Sequence, residues 1–114
     1  MPAEAFLDSN VVIYAVAQDD PRGTRAEELL RMGGILSVQV LNEFASVARG
    51  KIRMPWAELR EALAAIRVLC ATPIPITAQT HETALRIAEQ YSCGIDDALI
   101  AAAALEAWLR SSLF

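Results

Sequence analysis

The feature that most constrains the fold is a lone carboxylate inside an apolar N-terminal segment, Phe6–Ala15. Asp8 follows Leu7 and precedes a hydroxyl and an amide, and all the other residues of the segment are apolar or aromatic. Burying a carboxylate among such side chains is costly unless a cation or hydrogen-bond donors compensate it. We therefore place Asp8 at the end of a short strand, where active sites lie in open α/β sheets. This position makes the segment a candidate metal site.

The size and charge of the chain set limits on its class. Its 114 residues suffice for one compact domain, so we predict a single domain over residues 1–114. A hydrophobic content of 54% predicts a folded core. The net charge of −4 argues against a domain that grips nucleic acid through bulk positive charge. It leaves open a nuclease whose bound metals supply positive charge locally.

The two cysteines and the N-terminus favour a cytoplasmic protein that does not enter a membrane. Cys70 and Cys93 do not have the spacing of a CxxC pair, and we expect reduced thiols. Met1–Glu4 lacks the basic start of a signal peptide. The most apolar run, Ala98–Leu105, is far shorter than the roughly 20 residues that a membrane helix needs.

Short apolar segments alternate with helical patterns along the chain. We predict strands at Ala5–Leu7, Ile35–Val38 and, at a sheet edge, Ile74–Ile76. This alternation predicts a parallel sheet covered by helices. Val11–Val16 could prolong the first strand, and we interpret it as a helical turn after Asp8. The other predicted helical segments are a helix from Pro21 or Thr24 to Gly33, one from Ser37 to Arg49, one opened by Pro55, one from Thr80 to Tyr91 and one from Asp96 to Leu109.

Acidic residues interrupt apolar surroundings at three places, which are Asp8, Glu43 and the pair Asp96-Asp97. Whole elements separate them, so only the fold can bring them together. Convergence would create an oxygen-rich site of the kind that Mg²⁺ prefers. Each acid also has an ordinary structural interpretation. Asp8 could cap a helix, Glu43 could face solvent, and the aspartate pair could favour a helix dipole.

Three segments resemble the successive motifs of PIN-domain proteins, and most closely those of the VapC-type toxin ribonucleases. They are Phe6–Tyr14, Ser37–Phe44 and Asp97–Leu105, and the resemblance covers nearly the whole chain. It implies an α/β/α sandwich with a short parallel sheet. It also implies an endoribonuclease that depends on Mg²⁺ or Mn²⁺ and acts as the toxin of a toxin–antitoxin pair. RNA and an antitoxin protein are then the expected partners, with a homodimer as the expected assembly.

The resemblance also assigns candidate site residues. By position, Asp8, Glu43 and Asp97 correspond to the acidic residues that bind metal and carry catalysis. Ser9 and Asn10 would be polar helpers near the metal or substrate. Asp96 is a further candidate helper, although relatives often have another residue type at that position.

The C-terminus departs from the pattern of these relatives. They usually continue into another strand with a further acidic residue, and here no Asp or Glu follows Glu106. Glu106 lies nine residues after Asp97, about 13 Å along a helix, so it does not easily substitute. We therefore expect a shortened domain that lacks the last strand and has weakened catalysis.

Three functional hypotheses follow. The first is a metal-dependent ribonuclease. The second is a catalytically impaired scaffold that acts through dimerisation or antitoxin binding, and the third is a receiver-like acidic pocket built on Asp8.

Overall fold

Six helices dominate the computed structural model, which describes residues 6–16, 21–70 and 72–112. They account for 74% of the described residues. None of the helices in these ranges is long and apolar enough to cross a membrane. In chain order the helices are α1 (Ser9–Val16), α2 (Gly23–Arg31), α3 (Val38–Gly50), α4 (Trp56–Leu69), α5 (Ala78–Tyr91) and α6 (Ile95–Ser112).

The predicted α/β/α sandwich with a short parallel sheet is wrong, because the described residues contain helices and no sheet. Within the described ranges, extended pairing is limited to two isolated parallel bridges, Phe6 with Ile35 and Ser37 with Ile74. Ala5, the first residue of the first predicted strand, lies outside the described residues.

The extended segments are too short to form a ladder, and the sequence gives the reasons. α3 begins at Val38, directly after the bridged Ser37, so helix replaces the end of the second predicted strand. Pro73 and Pro75 flank the bridged Ile74, and a proline has no backbone N–H to donate to a ladder.

The predicted helices are confirmed, with their bounds adjusted. α1 follows Asp8, as the helical interpretation of Val11–Val16 required. α4 follows Pro55 directly. α5 starts two residues before the predicted Thr80, because the side chain of Thr77 accepts a hydrogen bond from the backbone N–H of Thr80 and caps the helix.

The chain divides into two compact units, and the first contains the described residues of Met1–Leu36 and Val40–Pro73. Its core is aliphatic and aromatic: Val12 and Phe44 are fully buried, and Leu36 is 1% exposed. α2 contacts both α1 and α4 within this unit. Leu7, which precedes the candidate carboxylate Asp8, is itself buried.

The second unit contains Ser37–Gln39 and the described residues of Ile74–Phe114. Here α5 packs on α6 through small side chains, and Ala84, Ala98 and Ala102 are fully buried. Alanine favours the helix and lets two helix backbones approach closely. The prediction of one domain over residues 1–114 stays a prediction.

Candidate active site

Asp8 stands at the start of α1, where backbone contacts fix its position. The N–H of the preceding residue, Leu7, donates to the carbonyl oxygen of Ile35 at 2.8 Å. Asp8 is exposed, and its Oδ1 accepts a hydrogen bond from the N–H of Val11 at 3.3 Å. This is the bond of a helix N-cap. Asp8 therefore caps α1, and this role leaves its second carboxylate oxygen available to a ligand.

Glu43 lies in the middle of α3 and meets the first turn of α1. The hydroxyl of Ser9 donates to Glu43 Oε1 at 3.1 Å. The next residue, Phe44, is fully buried, so the apolar side of α3 packs in the core. Glu43, beside it on the helix, is half-buried. The structure thus joins two sequence-predicted residues, Ser9 and Glu43, of which Ser9 directly follows Asp8 in the chain.

The other carboxylate oxygen of Glu43, Oε2, is buried and has no hydrogen-bond partner in the described part of the chain. Leaving a buried acceptor unsatisfied costs about 1–3 kcal/mol, and more for a charged group. Such exceptions call for an explanation, and an ion that completes the site is one. A cation beside Glu43 would compensate the buried oxygen.

The donors around Glu43 suit a hard divalent cation. Carboxylate and hydroxyl oxygens of Asp8, Glu43 and Ser9 are the ligand type that Mg²⁺ and Mn²⁺ take. Mg²⁺ in particular is usually held by one or two carboxylates and keeps several waters. Among the described residues, no group of three or more His, Cys, Asp or Glu side chains is arranged to hold a metal.

Asn10 is exposed in the first turn of α1, one residue after Ser9. Its proposed role as a polar helper stays a prediction.

Asp96 and Asp97 belong to the second unit, in the first turn of α6. Both are exposed, and Asp96 Oδ1 accepts a hydrogen bond at 3.2 Å from Nε2 of Gln39, a side chain only 8% exposed. Their position at a helix N-terminus is favourable for negative charge whatever else they do. The catalytic assignment of Asp97 stays a prediction.

A second half-buried carboxylate, Glu106, belongs to a polar network that we did not predict from the sequence. The hydroxyl of Thr80, a fully buried residue, donates to Glu106 Oε2 at 2.9 Å. Glu106 Oε1 is buried and has no hydrogen-bond partner within the described ranges. The two threonines Thr77 and Thr80 form a capping box, and their spacing in the sequence is the feature from which this cap could have been predicted.

Comparison with known protein families decides the family of the chain. The family model described as PIN domain matches residues 5–109. The chain belongs to the PIN-domain family. No curated protein matches it. The match includes residues of both units of this PIN domain.

Membership of the PIN-domain family confirms the family that the sequence motifs resemble, and it indicates a general function for the chain. A PIN domain indicates a nuclease-type function, with nucleic acid as its substrate class. PIN domains are generally nucleases that depend on a divalent metal. The oxygen donors at Asp8 and Glu43 agree with that requirement.

Proposed function

We propose that this PIN domain is an endoribonuclease that depends on Mg²⁺ or Mn²⁺ and uses the carboxylates of Asp8 and Glu43. One observation carries the proposal. Glu43 Oε2 is buried and has no hydrogen-bond partner among the described residues, while Glu43 Oε1 is held by Ser9, next to Asp8 in the chain. In a PIN domain, such an oxygen is best explained as a metal ligand that is oriented before the metal binds.

Different residues have different roles in the proposed hydrolysis. Asp8 and Glu43 would hold the cation, and the Ser9 hydroxyl keeps the Glu43 carboxylate in one orientation. When bound, the metal would supply a nucleophilic water at neutral pH and stabilise the charge that develops on the phosphate. Asn10, exposed in the first turn of α1, would hydrogen-bond a phosphate or sugar oxygen of the substrate.

Asp97 is proposed as the third catalytic acid, with Asp96 as a polar helper. The support is the order and context of the three motifs, because Asp97 opens an alanine-rich helix as in VapC-type relatives. The exposure of Asp97 leaves its carboxylate accessible to a ligand.

The same VapC-type resemblance supports a cellular role. We propose that the protein is the toxin of a toxin–antitoxin pair, forms a homodimer and is inhibited by an antitoxin protein. Both cysteines are free thiols, which agrees with action in the reducing cytoplasm.

RNA cleavage by the purified chain tests the proposal. With Mg²⁺ or Mn²⁺ present, Asp8→Asn, Glu43→Gln and Asp97→Asn should each slow cleavage by roughly 100-fold or more. Glu106→Gln is the matched control, since it alters the other carboxylate with a buried unpartnered oxygen. Far-UV circular dichroism verifies that each variant is folded.

The outcomes separate the hypotheses. Undiminished cleavage by Asp8→Asn and Glu43→Gln would contradict the site. A folded wild-type chain that cleaves no RNA with either metal would instead favour the scaffold hypothesis.

A further inference from the structure

A basic surface with an aromatic centre lies where α3 passes into α4, in the first unit. Between Arg49 and Arg60 the sequence has four basic residues and a single acid, Glu58, although the chain as a whole carries a net charge of −4. We call this region the α3–α4 basic surface, and its exposed side chains are Arg49, Lys51, Arg53, Trp56 and Arg60.

Trp56 is the centre of this surface and is held in place although it is exposed. The guanidinium carbon of Arg49 lies 4.2 Å from the centroid of the Trp56 ring, and Arg49 Nη1 donates to the carbonyl oxygen of Met54 at 2.8 Å. Even with the guanidinium stacked on it, Trp56 is 58% exposed. A cation–π contact and a hydrogen bond thus fix a large aromatic side chain that faces water.

The loop that carries the basic residues is anchored to the end of α3. The N–H groups of Lys51 and Met54 donate at 2.8 Å to the carbonyl oxygens of Val47 and Ala48. Met54 is buried and pins the middle of the loop to the core. The loop therefore presents its charges from a fixed backbone, and a ligand need not order it.

Within the described residues, no acidic side chain forms a salt bridge with the basic side chains of this loop. In the described part of the chain, Lys51, Arg53 and Arg60 form no salt bridge, whereas Arg25 and Arg31 on α2 pair with glutamates. Trp56 and Arg60 are four residues apart on α4 and share one face of that helix.

Glu58 lies two residues after Trp56, about 200° around the helix, and so points away from the ring. The positive charge beside Trp56 is therefore open to an anionic ligand.

We infer that the α3–α4 basic surface binds single-stranded RNA, with a base stacked on Trp56 and phosphates held by Lys51 and Arg53. An aromatic platform flanked by cations is the arrangement by which proteins bind single strands without sequence preference. The inference rests on the proposed function, since it assigns the contact for the substrate of that site. Glu43, the candidate metal ligand, lies on the same helix as Arg49, six residues earlier and a rise of about 9 Å away.

An acidic peptide is the competing ligand, and the indole of Trp56 distinguishes such a peptide from single-stranded RNA. A peptide held by charge would depend on the basic residues and gain little from an exposed ring. Stacking on Trp56 requires a planar partner, which every nucleotide supplies.

Binding is measured by fluorescence anisotropy of a labelled RNA of about 12 nucleotides, a length within the usual range of such sites. EDTA in the buffer prevents metal-dependent cleavage. Trp56→Ala should weaken binding about 5- to 150-fold, and Trp56→Phe should restore most of the loss because it keeps a stacking ring. Trp108→Ala is the matched control: Trp108 is 57% exposed, lies on α6 in the other unit, and should leave affinity unchanged.

The salt dependence of binding tests the phosphate contacts. Each lost contact to a single strand lowers the slope of log K against log salt concentration by about 0.7, so Lys51→Ala with Arg53→Ala should lower it by about 1.4. Arg25→Ala with Arg31→Ala removes the same charge from α2 and should leave the slope unchanged.

Two results would overturn the inference. One is RNA affinity that survives both Trp56→Ala and the Lys51–Arg53 double substitution. The other is a poly-glutamate peptide that binds through Lys51 and Arg53 and is indifferent to Trp56, which would make the surface a site for an acidic protein.

Cleavage measured with Mg²⁺ separates this inference from the proposed function. A chain that binds RNA through Trp56 and never cleaves it contradicts only the proposed function. A chain whose cleavage requires Asp8 and Glu43, but whose RNA affinity ignores Trp56, contradicts only the inference.

Discussion

At the scale of single residues, two half-buried carboxylates, Glu43 and Glu106, make the same kind of hydrogen bond with different partners. Each accepts a hydroxyl hydrogen bond on one oxygen, and its other oxygen is buried with no partner in the described part of the chain. Glu43 is held by Ser9, which is adjacent to the carboxylate of Asp8. Glu106 is held by Thr80, whose own neighbour in the network is another hydroxyl. Of the two hydroxyl partners, Ser9 is therefore the one that adjoins another acid in the chain, and carboxylates are the ligands that hard divalent cations take.

The two thiols give a residue-scale prediction. Cys70 is buried, and this desolvation raises the pKa of its thiol, whereas Cys93 is partly exposed. A raised pKa leaves less reactive thiolate at any pH near the pKa of an ordinary thiol. In the folded protein at pH 8, iodoacetamide should therefore modify Cys93 well before Cys70, as followed by mass spectrometry. In about 8 M urea, which unfolds the chain, the two cysteines should be modified at the same rate. Equal rates in the folded protein would contradict the burial of Cys70.

At the scale of elements, Gly34 allows the bridged segments to approach each other. A Cβ at Gly34 would lie 2.6 Å from Cγ and Cδ1 of Leu7, a buried side chain that would have to shift within the core. Gly34→Ala should therefore lower the free energy of unfolding by about 1–3 kcal/mol, as overpacking does. Gly50→Ala is the control, because a Cβ on this last residue of α3 meets nothing within 4 Å.

Urea denaturation measures both glycine variants. Gly50→Ala should be neutral or stabilise by up to about 1 kcal/mol through the entropy of the unfolded chain. If Gly34→Ala were as stable as Gly50→Ala, the close contact with Leu7 would be refuted.

The end of α5 gives a second prediction for an element. Ser92 follows Tyr91, the last helical residue, and has φ 53° and ψ 40°, the left-handed conformation that usually selects glycine. Ser92→Gly should raise the free energy of unfolding by about 0.5–1 kcal/mol, because it relieves the strain on Cβ at a smaller entropic cost. Ser46→Gly, in the middle of α3, should instead destabilise by about 0.5 kcal/mol. A Ser92→Gly variant that loses stability in the same urea assay would contradict this account.

The helices and the strands of this chain differ in how far the sequence predicts them. The starts of two helices were predictable from local chemistry, since Ser37 and Pro55 stand immediately before α3 and α4. The length of a strand was not predictable, since an apolar run such as Ile35–Val38 has the same pattern whether it stays an extended strand or turns into a helix. The contact of Ser9 with Glu43 joins residues 34 positions apart, and no local pattern encodes such a contact. Family motifs supplied both residues, while only the fold gave the bond between them.

At the scale of the whole molecule, cation binding and unfolding are linked. A ligand that binds the folded PIN domain and not the unfolded chain raises the free energy of unfolding, by about 2.7 kcal/mol at 100 times its dissociation constant. For a chain of this size, such a gain raises the melting temperature by about 10 °C or more. We therefore expect saturating Mn²⁺ to stabilise the protein in a thermal melt followed by circular dichroism.

The matched carboxylates identify the source of that stabilisation. Glu43→Gln should remove most of the Mn²⁺-dependent rise in melting temperature, because it replaces a charged ligand oxygen beside Asp8. Glu106→Gln also alters a buried, hydroxyl-bonded carboxylate, and so it should shift the metal-free melting temperature and keep the full response to Mn²⁺. Comparing the two shifts cancels the general cost of disturbing a buried carboxylate. An undiminished response in Glu43→Gln, or an absent response in the wild-type chain, would show that the unpartnered oxygen of Glu43 is not a metal ligand.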